Sequence, residues 1–528
     1  MHFCQMLFAG LILSAAFVSA SPSYINATQE ACHLLSKIYP DSTFFPGTTR
    51  YEYENTVSWT ATAWLGPSCV FCPFNSHMTS AAVQLFSAKQ VPFAIRSGGA
   101  MPVSNAANIG PEGILISSTN FTTLRISDDL HTVSVGSGIR FPVLYGFLEN
   151  YGVSMNGIRI GDVGVIGFLL GGGIGFFSYE YGMASTYVLA FEVRFAALSV
   201  PPSPIFRSKS HKCVLANGTI VTASENSHAD LFWALRGGGN NFCIVTRADL
   251  KTIPVASVYL GNVGYGSGSD VQEQYLQSMV DFSLYAGSDP QSAVEGQIRW
   301  NPTQSPDITY WAFLFHSGND ISPPGLQNLT APVLPITLGN ITRQTMKEWS
   351  DSFPYSSDLG LREFFYFFAV PADAEAFRIA MDTYFSIATV ELKDVEDFFT
   401  AFSVMPITEH AIAVSSVNGG NPLGLTEDSV PAVWLVESPA WGNAADDETV
   451  VAVHSKINTQ IAENLKAAGF EEAPFVYLSD AEKGQKVFEG YGEESWERLR
   501  EIRARYDPGM VFQKLVPGGV KVEGDIWN

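Results

Sequence analysis

Three glycine clusters in the first half of the chain restrict its fold more than any other feature. Arg96-Ser97-Gly98-Gly99 follows the apolar, strand-like run Val91 to Ile95. A longer segment carries glycine at 161, 164, 167, 171, 172, 173 and 175. The third, Gly237-Gly238-Gly239, precedes Asn240-Asn241-Phe242 and the strand-like Ile244-Val245-Thr246. Glycine lets a backbone approach a ligand closely, and successive N–H groups form an anion-binding concavity. None of the clusters has Gly-x-Gly-x-x-Gly in a strand–turn–helix setting, and none has the Gly-Lys-Ser/Thr of a P-loop. Singly, each reads as a turn. Together they point to a cofactor bearing a diphosphate.

The 528 residues allow two or three domains and a large buried core. A net charge of −22 argues against general affinity for nucleic acid or an anionic membrane, both of which need basic surface. Charged residues are only 16% of the chain while aromatics reach 13%, the balance of an enclosed, aromatic-rich interior.

The start of the chain reads as an export signal. Leu7 to Phe17 is apolar and Val18-Ser19-Ala20 supplies small residues, so residues 1–20 are expected to be removed after Ala20. The stretch is too short to span a bilayer. Five Asn-x-Thr sequons, at Asn26, Asn120, Asn217, Asn328 and Asn340, fit a secreted glycoprotein. Cys4 leaves with the signal, and Cys32 is expected to bridge to Cys69 or Cys72. The Cys69/Cys72 pair could instead bind metal, but no second pair accompanies it and the nine histidines show no ligand spacing. No metal is expected.

Beyond a helix-like start (27–38), short strand and turn signals alternate to about residue 255, including 113–117 and 132–135. From 256 to 475, strand-like runs such as 308–315 and 411–415 mix with helix-like runs such as 374–385 and 446–468. An amphipathic helix over 495–505 ends at Tyr506-Asp507-Pro508-Gly509. An α+β enzyme of two main domains fits this order.

Pro92 to Gly99, the segment 161–175, Asp230-Leu231-Phe232-Trp233-Ala234-Leu235-Arg236-Gly237 and Tyr506-Asp507-Pro508 resemble the berberine bridge enzyme-like FAD-linked oxidases. These belong to the vanillyl-alcohol oxidase, or PCMH-type FAD-binding, superfamily, and the likeness is to its fungal secondary-metabolism branch. The resemblance implies an N-terminal segment (21–64), a two-subdomain FAD-binding domain (65–256) and a substrate domain with an antiparallel sheet (257–478). It also implies a C-terminal segment (479–528) that returns to the FAD domain. By the same resemblance, Arg96, Ser97, Gly98 and Gly99 would cradle the pyrophosphate. Gly161, Val163, Gly164, Gly167, Gly171, Gly172 and Gly173 would wrap the FAD, and Ile244 and Val245 would meet its adenine side.

The sequence departs from that family at its covalent anchors. The family attaches flavin through a His directly after Arg-Ser-Gly-Gly, where this chain has Ala100, and through a Cys where it has Ser185. Alanine cannot form the bond, and serine is a far poorer nucleophile than a thiolate. FAD is therefore expected to bind without a covalent link. Cys243 replaces a customary glycine, a side chain that could crowd the cofactor. Arg194 to Cys213 is an extra twenty-residue insert, with Arg194, Arg207, Lys209 and Lys212 and no acid. It reads as a translated intron in preference to a surface loop.

A flavin accepts a hydride equivalent and passes electrons to O₂, while the protein orients the substrate and removes a proton. Resemblance puts Tyr477 where the family often has an active-site tyrosine, and Tyr491 near the flavin. The expectation is an FAD-dependent oxidoreductase acting on a small organic metabolite, without nucleic-acid partner or membrane span. A carbohydrate oxidase with Trp434 and Trp441 as stacking platforms is one alternative. A ligand-binding glycoprotein without redox chemistry is another.

Overall fold

The structure is a computed structural model describing residues 22–191, 213–353, 359–417, 419–471 and 473–524. The expected signal and residues 194–212 of the insert lie outside the described residues.

A four-stranded sheet is built first, in the order Thr43–Phe44, Cys69–Phe71, Ile114–Ser117, Phe93–Arg96. Its last three strands run parallel, which requires crossovers, and the helix Ser76–Lys89 supplies one of them. Asn75 caps that helix by accepting from the N–H groups of His77 and Met78 at 3.1 Å each. The N-terminal helix Pro22–Ile38 is joined to this sheet by a disulfide from Cys32 to Cys69. That chooses between the two expected partners, and Cys72 is left as a buried thiol.

A five-stranded antiparallel sheet follows, ordered Ala223–Ser224, Val188–Phe191, Arg247–Lys251, Thr132–Gly136, Leu124–Ile126. The short strands Cys213–Val214, Ile220–Val221 and Ile244–Val245 form a three-stranded sheet. The second half of the chain builds an eight-stranded sheet whose central strands are Val258–Gly266, Ser305–His316, Ser292–Asn301, Phe399–Ile407 and Ala432–Trp441. Tyr275 from the helix Ser269–Tyr285 donates to the carbonyl of Trp311 at 2.8 Å, laying that helix on one face. The other face is left to the cavity described below.

The sequence reading differs at 411–415. Expected as a strand, this run is the end of a helix, Glu409–Ala413, followed by a 3-10 turn. Thr408 explains the difference, because its hydroxyl accepts the Ala411 N–H and starts a helical turn that alternating hydrophobicity does not register. The helices expected at 374–385, 446–468 and 495–505 are present as Ala374–Glu391, Asp447–Ala467 and Glu493–Tyr506.

The tail packs back onto the first sheets. Asp507 accepts the N–H groups of Val511 and Phe512 at 2.7 and 2.8 Å, the carbonyl of Leu515 receives the Phe93 N–H at 2.7 Å, and Asn241 donates to Val520 O at 3.0 Å. Among the described residues, no helix is long and apolar enough to cross a membrane, and no group of three or more His, Cys, Asp or Glu side chains could hold a metal.

Candidate active site

A cavity of about 1060 Å³ separates the glycine-bearing loops from the open face of the eight-stranded sheet. Ser97, Gly98, Gly99, Ala100, Gly161, Val163, Gly164, Gly167, Gly171, Ile244 and Val245 line its first wall. Segments far apart in the sequence thus share one surface. Two backbones meet there: a Cβ on Gly98 would lie 2.3 Å from the Gly164 nitrogen, and one on Gly164 would lie 2.4 Å from the Gly98 nitrogen. Arg140 ties the two loops together, donating to the carbonyl of Gly98 at 2.5 Å and to that of Asp162. Ser97 and Ser118 both donate to the Ser137 carbonyl, at 2.6 and 2.9 Å. Nothing in the sequence signalled Arg140, Ser118 or Ser137, which act through contacts between distant segments.

This wall fits FAD. A Cβ at Gly161 or Gly167 would meet nothing within 4 Å, so both glycines leave open the space that an extended cofactor needs. Gly161 has φ +79°, a conformation that glycine adopts without strain. Cys243 also lines the wall, buried and without a positive φ, so the side chain is accommodated by the backbone.

Six expected residues lie off the cavity wall. Arg96 turns away because strand residues alternate faces: Ile95 and Ser97 line the cavity, while the Arg96 guanidinium enters a buried cluster with Glu54 and Ser117. It positions the loop and does not cradle a pyrophosphate. Gly172 and Gly173 form a turn with φ +103° and +75°. Ser185 is fully buried and donates to the Arg236 carbonyl at 3.2 Å. Tyr491 donates to the Gly237 carbonyl at 3.1 Å. Tyr477 stacks on Trp434, and its hydroxyl accepts the Gly173 N–H at 3.0 Å. Burial pushes that hydroxyl well above the usual phenol range, so the geometry gives Tyr477 a packing role in place of a catalytic one.

The second wall comes from strand alternation. Glu295, Gln297 and Arg299 project from one strand, Thr309, Trp311 and Phe313 from its neighbour, and Phe399, Ala401 and Ser403 from the strand on its other side. Register aligns them, with Gln297 opposite both Trp311 and Ser403. Glu295 pairs with Arg159 at 3.0 Å and accepts from Ser403 at 3.0 Å. Asp480 also lines the cavity, its carboxyl pushed up to about 7 by burial while Arg159 pulls it down and Glu295 raises it further. Trp59, Trp300 and Trp311 give the cavity its aromatic surface. Trp434 and Trp441 are buried elsewhere, so they are not sugar platforms.

A cofactor-sized groove of glycine loops facing a substrate-sized aromatic chamber defines a flavin-dependent oxidoreductase. The comparisons with known proteins agree. A family model described as an FAD binding domain matches residues 67–197. The FAD-dependent monooxygenase prx3 of Penicillium roqueforti is 30% identical over 515 residues, covering 95% of each chain. The bifunctional solanapyrone synthase of Alternaria solani is 27% identical, covering 97% of this chain and 92% of its own. Among solved structures, wild-type Physcomitrella patens BBE-like 1 superposes with TM-score 0.73 at 17% identity, over 95% of this chain and 99% of that one. This chain belongs to the family of FAD-dependent oxidoreductases that includes the Penicillium roqueforti enzyme, and it has the α+β, PCMH-type fold of berberine bridge enzyme-like oxidases that the sequence resemblance implied.

Proposed function

We propose that the protein is a secretory-pathway oxidoreductase that holds FAD non-covalently and oxidises a small organic metabolite in fungal secondary metabolism, with O₂ as the electron acceptor. The observation that carries this reading is the single cavity joining the glycine loops to the aromatic face of the large sheet. Ser97 to Ala100, Gly161 to Gly167 and Ile244-Val245 would hold the FAD, which when bound accepts a hydride equivalent from the substrate. The sheet face orients the substrate and excludes water. Asp480 accepts the proton: it lines the cavity, and a carboxyl near pH 7 is matched to that task. Because burial raises this acid, its proton-accepting form is lost as pH falls through about 7.

Non-covalent attachment is supported by Ala100 on the cavity wall, which has no nucleophile, and by Ser185, whose hydroxyl is committed to a carbonyl off the wall. Acid precipitation of the purified protein is expected to release all its flavin into the supernatant; flavin in the pellet would refute the reading. The visible spectrum of the FAD-loaded protein is expected to shift with a midpoint near pH 7, and Asp480→Asn to remove that transition while retaining flavin. A transition unchanged in Asp480→Asn excludes Asp480 as the group responsible.

Export and glycosylation belong to the same proposal. Asn26, Asn217 and Asn340 are exposed and fit glycan attachment. Asn120 and Asn328 do not, because their amide nitrogens already donate to Cys72 O and Asp281 at 2.8 Å each.

A further inference from the structure

The cavity's second wall carries a cation that the chemistry above does not use. Arg299 lines the cavity on the strand Ser292–Asn301, with its Cζ 4.8 Å from the centroid of the Trp311 ring. Its Nε donates to Gln297 Oε1 at 2.8 Å, and Nη2 donates to the same oxygen. These contacts fix the planar fork in one orientation. Nη1 has no hydrogen-bond partner, and Arg299 no ion-pair partner, among the described residues. The other guanidinium lining the cavity, Arg159, stands on the segment before Gly161 and is already paired with Glu295 at 3.0 Å.

Arg299 is half-buried, and a cation drawn even partly out of water is normally paired, because removing charge from water is costly. Here burial pulls the Arg299 guanidinium below its usual range; Tyr275 and Glu295 offset this only in part, and no carboxylate forms an ion pair with it among the described residues. Glu295 is held by Arg159 and Ser403, Asp307 is exposed, and Glu363 and Asp480 stand on other segments of the wall. Beside the fork is the face of Trp311, and Phe399 lies on the neighbouring strand of the same cavity wall.

We infer that Arg299 is the anchor for an anionic group on a planar, aromatic substrate, a carboxylate or an acidic enol, held by the open edge of the guanidinium while the ring lies against Trp311 and Phe399. This inference rests on the reading of the cavity as the substrate site. A bidentate charge-assisted pair explains why an arginine, held by a glutamine instead of a carboxylate, is presented to the cavity.

The test is isothermal titration calorimetry on the FAD-loaded protein with 2-naphthoate, its neutral isostere 2-naphthamide, and the cationic 2-naphthylmethylamine. Flavin content is measured first, so that a protein without FAD counts against the proposed function and not against this inference. In the FAD-loaded protein, naphthoate is expected to bind about tenfold or more tightly than naphthamide, the discrimination of a hydrogen-bonded charge. Arg299→Met is expected to remove that preference with flavin content unchanged, and Arg299→Lys, which keeps the charge without the fork, to retain part of it. Because the naphthoate–naphthamide comparison uses the unaltered protein, a variant that fails to fold leaves the inference testable. Equal binding of acid and amide, tighter binding of the amine, no binding of naphthoate, or an unchanged preference in Arg299→Met would each overturn it.

Discussion

Gly164→Ala is expected to strip the protein of FAD while leaving its secondary structure in place. The added Cβ would lie 2.4 Å from the Gly98 nitrogen, 2.7 Å from its Cα and 2.8 Å from Ser97 Oγ. Backbone atoms cannot rotate away as a side chain can, so the two loops must separate. Overpacking of this kind costs about 1–3 kcal/mol, and it falls where the cofactor wall must stay closed. FAD affinity should drop by roughly tenfold or more at 1.4 kcal/mol per decade. The visible flavin band relative to protein absorbance after gel filtration reads this directly. Gly98→Ala should behave alike, since its Cβ would sit 2.3 Å from the Gly164 nitrogen. Gly287→Ala, whose Cβ would meet only His410 at an ordinary 3.7 Å, should retain flavin fully. Equal flavin retention by Gly164→Ala and Gly287→Ala would show that the close approach of the two loops does not matter.

The second large effect is expected at Glu54. Glu54 and Arg96 are 0% and 1% exposed and ion-paired, with Ser117 and Thr119 donating to the same carboxylate oxygen at 2.7 and 3.1 Å. Arg50 adds a second cation at 2.6 Å. Glu54→Ala leaves a buried guanidinium without its counter-ion, a loss of about 3–5 kcal/mol. The measurement is denaturant unfolding of the flavin-loaded protein. The double variant Glu54→Leu/Arg96→Met should recover much of that stability, because two apolar side chains replace the pair without leaving a charge behind. It should also keep its FAD, as Arg96 holds the strand in front of Ser97 and does not face the cavity. Loss of flavin from a stable double variant would return Arg96 to the cofactor site.

Local chemistry made much of this site legible in advance. Gly98, Gly161, Gly164 and Gly167 line the cavity because a backbone that must lie against a cofactor needs glycine, and that requirement is written residue by residue. The missing anchors were legible in the same way, since Ala100 and Ser185 carry their chemistry wherever they are placed. Arg96 turns away from the cavity although its three following neighbours, Ser97, Gly98 and Gly99, line it. Strand alternation sends consecutive side chains to opposite faces, and the buried carboxylate that receives it lies 42 residues earlier. Tyr477 lies off the cavity wall for a related reason, as its partner is the N–H of Gly173, 304 residues away.

The sequence by itself determined the flavin side of the protein: glycine loops shaped for a diphosphate cofactor, Ala100 and Ser185 at the two customary anchor positions, and the alternation of strands and helices that makes an α+β fold. Only the tertiary structure decided the substrate side. Glu295, Arg299, Trp311, Ser403 and Asp480 carry no motif, and none is close in sequence to the glycine loops. They become one surface because antiparallel register aligns Gln297 with Trp311 and Ser403, and because period-two alternation turns every second side chain toward the cavity. A site assembled by long-range pairing has no local signature, and here that is the half proposed to receive the substrate.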